Sequence, residues 1–140
     1  MFRGEVSQVR AARMFVSRAL AGGAGCAGQA REALLTCVTE LAANAIEHTA
    51  SGRGGTFTVA VGTPRDGVAF VAVTDEGGGG EPTIREPGEM AEGLSEGGRG
   101  LALVEASSSR WGVRDAGPGR TVWAVVVWPV RVTTAGARAA

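Results

Sequence analysis

Residues 39–48 read TELAANAIEH, and how this stretch folds decides how the rest of the chain is arranged around it. Glu40, Asn44 and His48 recur every fourth position, so a helix lines them up along one slowly drifting stripe. Leu34, Val38, Leu41 and Ala45 form an apolar stripe beside it, the spacing of a buried helix face, and the helix is predicted over 29–48. The polar stripe therefore falls at the rim of the core, where a ligand could cover it. A carboxylate there can accept a proton, and an Asn carbonyl can coordinate a hard cation such as Mg²⁺. Alone, the same letters would also suit an ordinary solvated helix face.

Working outward, Val9, Ala12, Val16 and Ala19 sit at helical spacing within 8–21, ahead of the glycines Gly22, Gly23 and Gly25. Downstream, 56–62 (TFTVAVG) and 68–74 (VAFVAVT) are β-branched runs around PRDG, the pattern of a hairpin. Residues 75–98 are rich in Gly, Glu and Pro, and a loop of that length in a compact domain is usually functional or disordered. A short helix is expected over 99–107, then strands at 111–113 and 122–130, the last apolar enough to be central. The expected fold is α/β (α+β): a two-layer sandwich of a mixed, mostly antiparallel sheet with helices on one face. One domain is expected over 1–130, with a disordered tail at 131–140.

Two further polar clusters interrupt this pattern. In VTDEGGGG, residues 73–80, Asp75 ends a strand ahead of four glycines. An ionised Asp only accepts hydrogen bonds, so it can take one from an exocyclic amine such as adenine N6. Glycine lets backbone approach a flat ring closely. In EGGRGLALVEA, residues 96–106, Gly98, Arg99 and Gly100 lead into a helix at Leu101, and helix-start N–H groups suit a phosphate. Each cluster alone also fits a plain turn or linker.

Composition narrows the classes. Formal net charge is zero, which gives no electrostatic case for nucleic acid or acidic membrane. All 14 basic residues are arginine. With no lysine, neither a Walker-A loop nor the nucleotide site of a eukaryotic-type protein kinase can be built. Cys26 and Cys37 have no metal or disulfide spacing, and Cys37 reads as a buried, inert thiol. No signal-peptide pattern or membrane-length apolar run is present, so a cytoplasmic protein is expected.

Taken in order, the three clusters resemble the boxes of the GHKL ATPases, the family of gyrase, heat-shock chaperone, mismatch-repair and histidine-kinase ATP domains. Glu40, Asn44 and His48 look like the N box; Asp75, Gly77 and Gly79 like the G1 box; Gly98, Gly100 and Leu101 like the G2 box. Gly119-Arg120-Thr121 resembles the strand-start glycine-threonine behind the adenine pocket. Within that family the chain is most similar to the RsbW-like anti-sigma factors, which are serine-protein kinases, over about residues 3–130.

The resemblance implies the Bergerat fold, with ATP held between a helix layer and a lid over 76–97. It implies Asn44 on Mg²⁺, Asp75 on adenine N6 with Thr121 in support, and Gly77 and Gly79 beside base and sugar. Gly98, Arg99 and Gly100 would approach the phosphates, His48 would be a phosphate contact, and Glu40 the general base. The lid, with seven glycines and few large apolar side chains, is expected to be mobile without nucleotide. No phosphoacceptor helix is read ahead of the site, so the acceptor is expected on another chain. By resemblance that acceptor is a Ser or Thr of a STAS-type anti-anti-sigma protein, and a sigma factor could occupy the same surface region. Sequestration without turnover and slow ATP hydrolysis are the alternatives, and a homodimer is compatible with the sequence.

Overall fold

The computed structural model describes residues 1–22, 25–26, 28–78 and 96–130, with the backbone alone at 96–99. The expected tail at 131–140 lies outside the described residues.

The long helix α2 runs over Gly28–His48 and buries Ala30, Leu34, Leu35, Cys37, Val38, Leu41, Ala42 and Ala45. That set is wider than one stripe because α2 is covered on several sides. It crosses the sheet and is flanked by α1 (Ser7–Ala21) and α3 (Glu96–Ser107). Helix α1 buries Ala12, Val16 and Leu20. Leu20 takes the place expected for Ala19, which is exposed, because the i, i+4, i+8 ridge runs through Leu20.

The sheet contains β1 (Phe2–Arg3), β2 (Thr56–Arg65), β3 (Val68–Thr74), β4 (Arg110–Ala116) and β5 (Gly119–Val127), ordered β1-β2-β3-β5-β4. Strand β2 extends through Pro64 and Arg65, so only Asp66 and Gly67 make the turn, after a register shift between Gly62 and Arg65. The α/β two-layer fold is as expected, and where a mixed, mostly antiparallel sheet was anticipated every described pair is antiparallel. Strands β3 and β4 do run in the same direction, but β5 returns from β4 and lies between them, so no parallel pair forms. Expecting the run 122–130 to be internal was sound, although the strand begins at Gly119 and ends at Val127.

Alternate residues of the strands meet the helices. Phe57 and Val59 on β2, Ala69, Val71 and Val73 on β3, and Ala124 and Val126 on β5 join the α1 and α2 side chains in one core. Two elements were not anticipated: β1 and a 3-10 turn at Ala50–Gly52. Both are too short to carry a period. Phe2 nevertheless fixes β1, stacking on Phe57 at 5.4 Å between ring centroids and meeting Phe15 edge-on at 5.9 Å.

Both cysteines are free and buried. Burial pushes the Cys37 thiol up to about 11 and raises Cys26 as well, against the opposing pull of Arg31. A thiol held protonated is a poor nucleophile, which agrees with the inert reading. Among the described residues no helix is long and apolar enough to cross a membrane.

Leu34 is fully enclosed whereas Leu103 on α3 is 47% exposed. Leu34→Ala should cost about 2–5 kcal/mol in urea unfolding, from lost transfer energy plus a cavity. Leu103→Ala should stay within about 0.5 kcal/mol of the parent.

Candidate functional site

The polar stripe of α2 emerges from the core as its spacing requires. Glu40 and Asn44 are half-buried, whereas His48, one turn later, is exposed with Nε2 3.7 Å from Glu47 Oε2. Gly100 is buried directly against the first two. A Cβ placed on it would lie 3.0 Å from Glu40 Oε2 and 3.3 Å from Asn44 Oδ1. Glycine lets α3 settle this close to both polar groups, and even a methyl would make those two side-chain ends give by a few tenths of an ångström. Helix α3 starts at Glu96, so Gly98, Arg99 and Gly100 belong to its first turns instead of a preceding loop. Packing on α2 has overridden the weak helix propensity of glycine. Leu101 lies inside that helix and packs partly buried against the core.

The second part of the site is built where β3 ends. Asp75 is 7% exposed, and its backbone N–H donates to the Arg120 carbonyl at 3.0 Å, continuing the ladder past the strand. Its Oδ1 accepts from the backbone N–H of Gly77 at 2.7 Å and of Arg120 at 3.3 Å. Its Oδ2 lies 3.6 Å from Arg120 Nε. Gly77 has φ +74°, and a Cβ there would come within 1.9 Å of the Pro118 carbonyl oxygen. The turn that aims Asp75 therefore admits no other residue without rebuilding. Thr121 is buried and faces Thr74 across the ladder, their hydroxyls 2.7 Å apart, one position from Asp75.

A short clamp joins the two parts. The Thr49 hydroxyl donates to the Ala45 carbonyl and accepts from the Ser51 N–H, turning the chain out of α2. Ala50 N–H then donates to the Gly77 carbonyl at 2.6 Å, and the Glu76 N–H donates to Ser51 Oγ at 3.2 Å. Arg53 Nη2 donates to the Gly78 carbonyl at 3.0 Å. The end of the helix bearing Glu40 and Asn44 is thus tied to the loop bearing Asp75. Sequence reading passed over Ser51, Arg53 and Arg120. Arg120 stands beside Thr121 in the quoted Gly-Arg-Thr and could have been weighed there; Ser51 and Arg53 carry no comparable signal.

Gly79, the expected lid from 79 to 95 and the Arg99 side chain lie outside the described residues. Among the described residues there is no group of three His, Cys, Asp or Glu arranged for a metal. Asn44 Oδ1 offers a hard oxygen at the site, beside the Glu40 carboxylate. That donor set suits Mg²⁺, which is commonly held by one or two protein oxygens plus substrate phosphates.

A two-layer sandwich with a carboxylate and an amide on its central helix and a buried Asp at a glycine turn is the architecture of an ATP-binding domain. The profile of the histidine kinase-like ATPase domain matches residues 2–126, and the chain belongs to that family. ATP binding goes with that membership, and the expected GHKL kinship holds at this level. An uncharacterized protein of Streptomyces coelicolor is 35% identical over 85 residues, covering 61% of this chain and 76% of that protein.

Gly100 offers a direct check on the packing of α3 over α2. Gly100→Ala gains about 1 kcal/mol of helix propensity, which offsets mild crowding of two movable side-chain ends. Gly100→Val adds branching without room for it. Urea unfolding should show Gly100→Ala near neutral and Gly100→Val destabilised by about 1–3 kcal/mol.

Proposed function

We propose that this chain is an ATP-dependent serine/threonine-protein kinase of the anti-sigma-factor type, acting on a STAS-type anti-anti-sigma partner. One observation carries the reading: Glu40 and Asn44 share one face of α2, and the same buried glycine of α3 lies against both. A binding module would need the Asn and the glycine. The carboxylate is an addition that serves chemistry.

In this reading Asn44 holds Mg²⁺ and Asp75 accepts from the adenine amine. Gly77 and Gly79 line the base and sugar, and Thr121 backs the pocket. Gly98, Arg99 and Gly100 approach the phosphates, with His48 at the margin. Bound Mg·ATP supplies a phosphoryl donor whose charge is partly neutralised. Glu40 takes the proton from the partner's attacking hydroxyl as its oxygen bonds to the γ-phosphorus, while the bond from that phosphorus to the β–γ bridging oxygen breaks and ADP leaves. Positioning carries most of such a reaction, and Gly100 confines both groups in one place.

Two substitutions separate binding from transfer. Glu40→Ala should hold ATP affinity within a few-fold and lower transfer by roughly two to four orders of magnitude. Asn44→Ala should lose Mg²⁺-dependent affinity and transfer together. Calorimetry and phosphate transfer at saturating Mg·ATP measure both, with basal hydrolysis standing in where no partner is at hand. Wild-type transfer by Glu40→Ala removes Glu40 as the base. Nucleotide-dependent partner binding without any transfer by the parent protein would instead favour sequestration.

The Asp75 carboxylate gives a second test. In Asp75→Asn the side-chain oxygen can keep the Gly77 N–H, but an NH₂ then stands where Oδ2 was, donor against donor at the adenine amine. ATP affinity should fall by about tenfold or more, since an unpaired buried polar group costs about 1–3 kcal/mol. Equal calorimetric affinities for the two proteins would reject the adenine assignment.

A further inference from the structure

The Asp75 carboxylate is asymmetric in its partners. Oδ1 already receives two backbone N–H groups, from Gly77 and Arg120, which occupy both of its lone pairs. Oδ2 is therefore the oxygen left for an incoming amine, and the Arg120 guanidinium stands beside it, with Nε at 3.6 Å. The Asp75 side chain is 5% exposed and that of Arg120 34%, so the arginine reaches from a buried carboxylate toward solvent. A second carboxylate is within its range. Asp115 on β4 is directly opposite Arg120 in the β4–β5 ladder, and it is exposed. Side chains directly opposite in a sheet have Cβ atoms only about 4.5–5.5 Å apart. Arg120 thus sits between a buried acid, which it now touches, and an exposed acid.

We propose that Arg120 is a gate on the base pocket: it stands over Asp75 Oδ2 as the structure places it, and swings to Asp115 when a purine amine takes that oxygen. The gate rests on Asp75 being the purine acceptor, as proposed above, and adds a regulator of that same site. Three physical points support it. A 3.6 Å ion pair lies outside hydrogen-bond range, so releasing it gives up charge attraction without breaking a directed bond. The guanidinium remains charged in both positions, so the exchange moves one ion pair to another and strands no cation. Lastly, the arginine responds differently to the two kinds of base. An exocyclic amine displaces it, whereas a carbonyl at the same place would accept from the guanidinium and leave it where it is.

The test measures ATP and inosine triphosphate, which carries oxygen in place of the amine, against the full-length protein. Calorimetry reads both affinities. Arg120→Met and Arg120→Gln should bind ATP about two- to fivefold more tightly than the parent, the scale of one partly exposed ion pair, without binding inosine triphosphate more tightly. Arg120→Lys should behave as the parent. Asp115→Asn should weaken ATP by a similar factor, and that loss should vanish when Arg120→Met is also present. The gate is overturned if Arg120→Met and Arg120→Gln bind ATP no better than the parent. It is equally overturned if Asp115→Asn has the same effect in both backgrounds. Equal binding of ATP and inosine triphosphate by the parent and by Asp75→Asn rejects the purine pocket itself, and the gate with it. An intact pocket with an unresponsive Arg120 rejects the gate alone.

Discussion

Burial of α2 on several sides at once governs everything else in the molecule. A surface helix can spend one stripe on packing and leave the rest to water. Gly28–His48 meets the sheet below, α1 on one flank and α3 on the other, and most of its surface must be apolar. The small residues Ala30, Ala42 and Ala45 and the buried Cys37 let its neighbours come close, while Leu34, Leu35, Val38 and Leu41 fill the volume between layers. Under that constraint a Glu and an Asn on the same helix have one place to go: the seam where α3 crosses with a glycine instead of a side chain. Their position follows from packing, and so does their half-buried state, in which charge and dipole are screened less than they would be in water.

The clamp after α2 gives that seam a fixed relation to the far end of the site. Backbone groups carry most of it, through Ala50, Gly77 and Glu76, with Ser51 and Arg53 supplying side-chain partners. A backbone contact tolerates change in side chains but not in loop length. The turn 49–55 is therefore under a geometric restriction that its small, polar composition conceals. A shift of helix α2 along its axis would be felt at the Gly77 carbonyl, and through it at the Asp75 carboxylate that the Gly77 N–H steadies.

The helices and the hairpin of β2 and β3 could be read from the letters because each repeats its period several times, as Leu34, Val38, Leu41 and Ala45 do. Glu40 and Asn44 stood out as a polar stripe at helical spacing beside the apolar one, and Asp75 as an acid at a strand end ahead of glycines. What escaped was of another kind. Phe2 and Arg3 form a strand only because Phe57 and Phe15 provide a surface for the Phe2 ring, a fact of tertiary contact with no local trace. The first turn of α3 was taken for a loop because glycine disfavours a helix by about 1 kcal/mol per residue, and close packing on α2 outweighs that. Arg120 was passed over for a third reason. Its neighbour in the chain is Thr121, but its partner in space is Asp75, brought to it by antiparallel pairing between strands distant in sequence.

That distance also bears on how the chain acquires its shape. Strand β5 is made last of the five yet belongs in the interior of the sheet, and the facing residues Thr74 and Thr121 are 47 positions apart. As the polypeptide emerges from a ribosome at about 5–20 residues per second, the β2–β3 hairpin stands complete for seconds with one edge bare. The edge is Val68–Thr74, short, β-branched and uncharged, the kind of strand that templates pairing with other chains. Its native cover is the run Thr121–Val127, equally apolar, arriving as half of a second hairpin. The β3–β5 pairing joins strands far apart in sequence, the kind of contact that slows folding. A ribosome that stalls within α3 would leave that adhesive edge waiting for a partner.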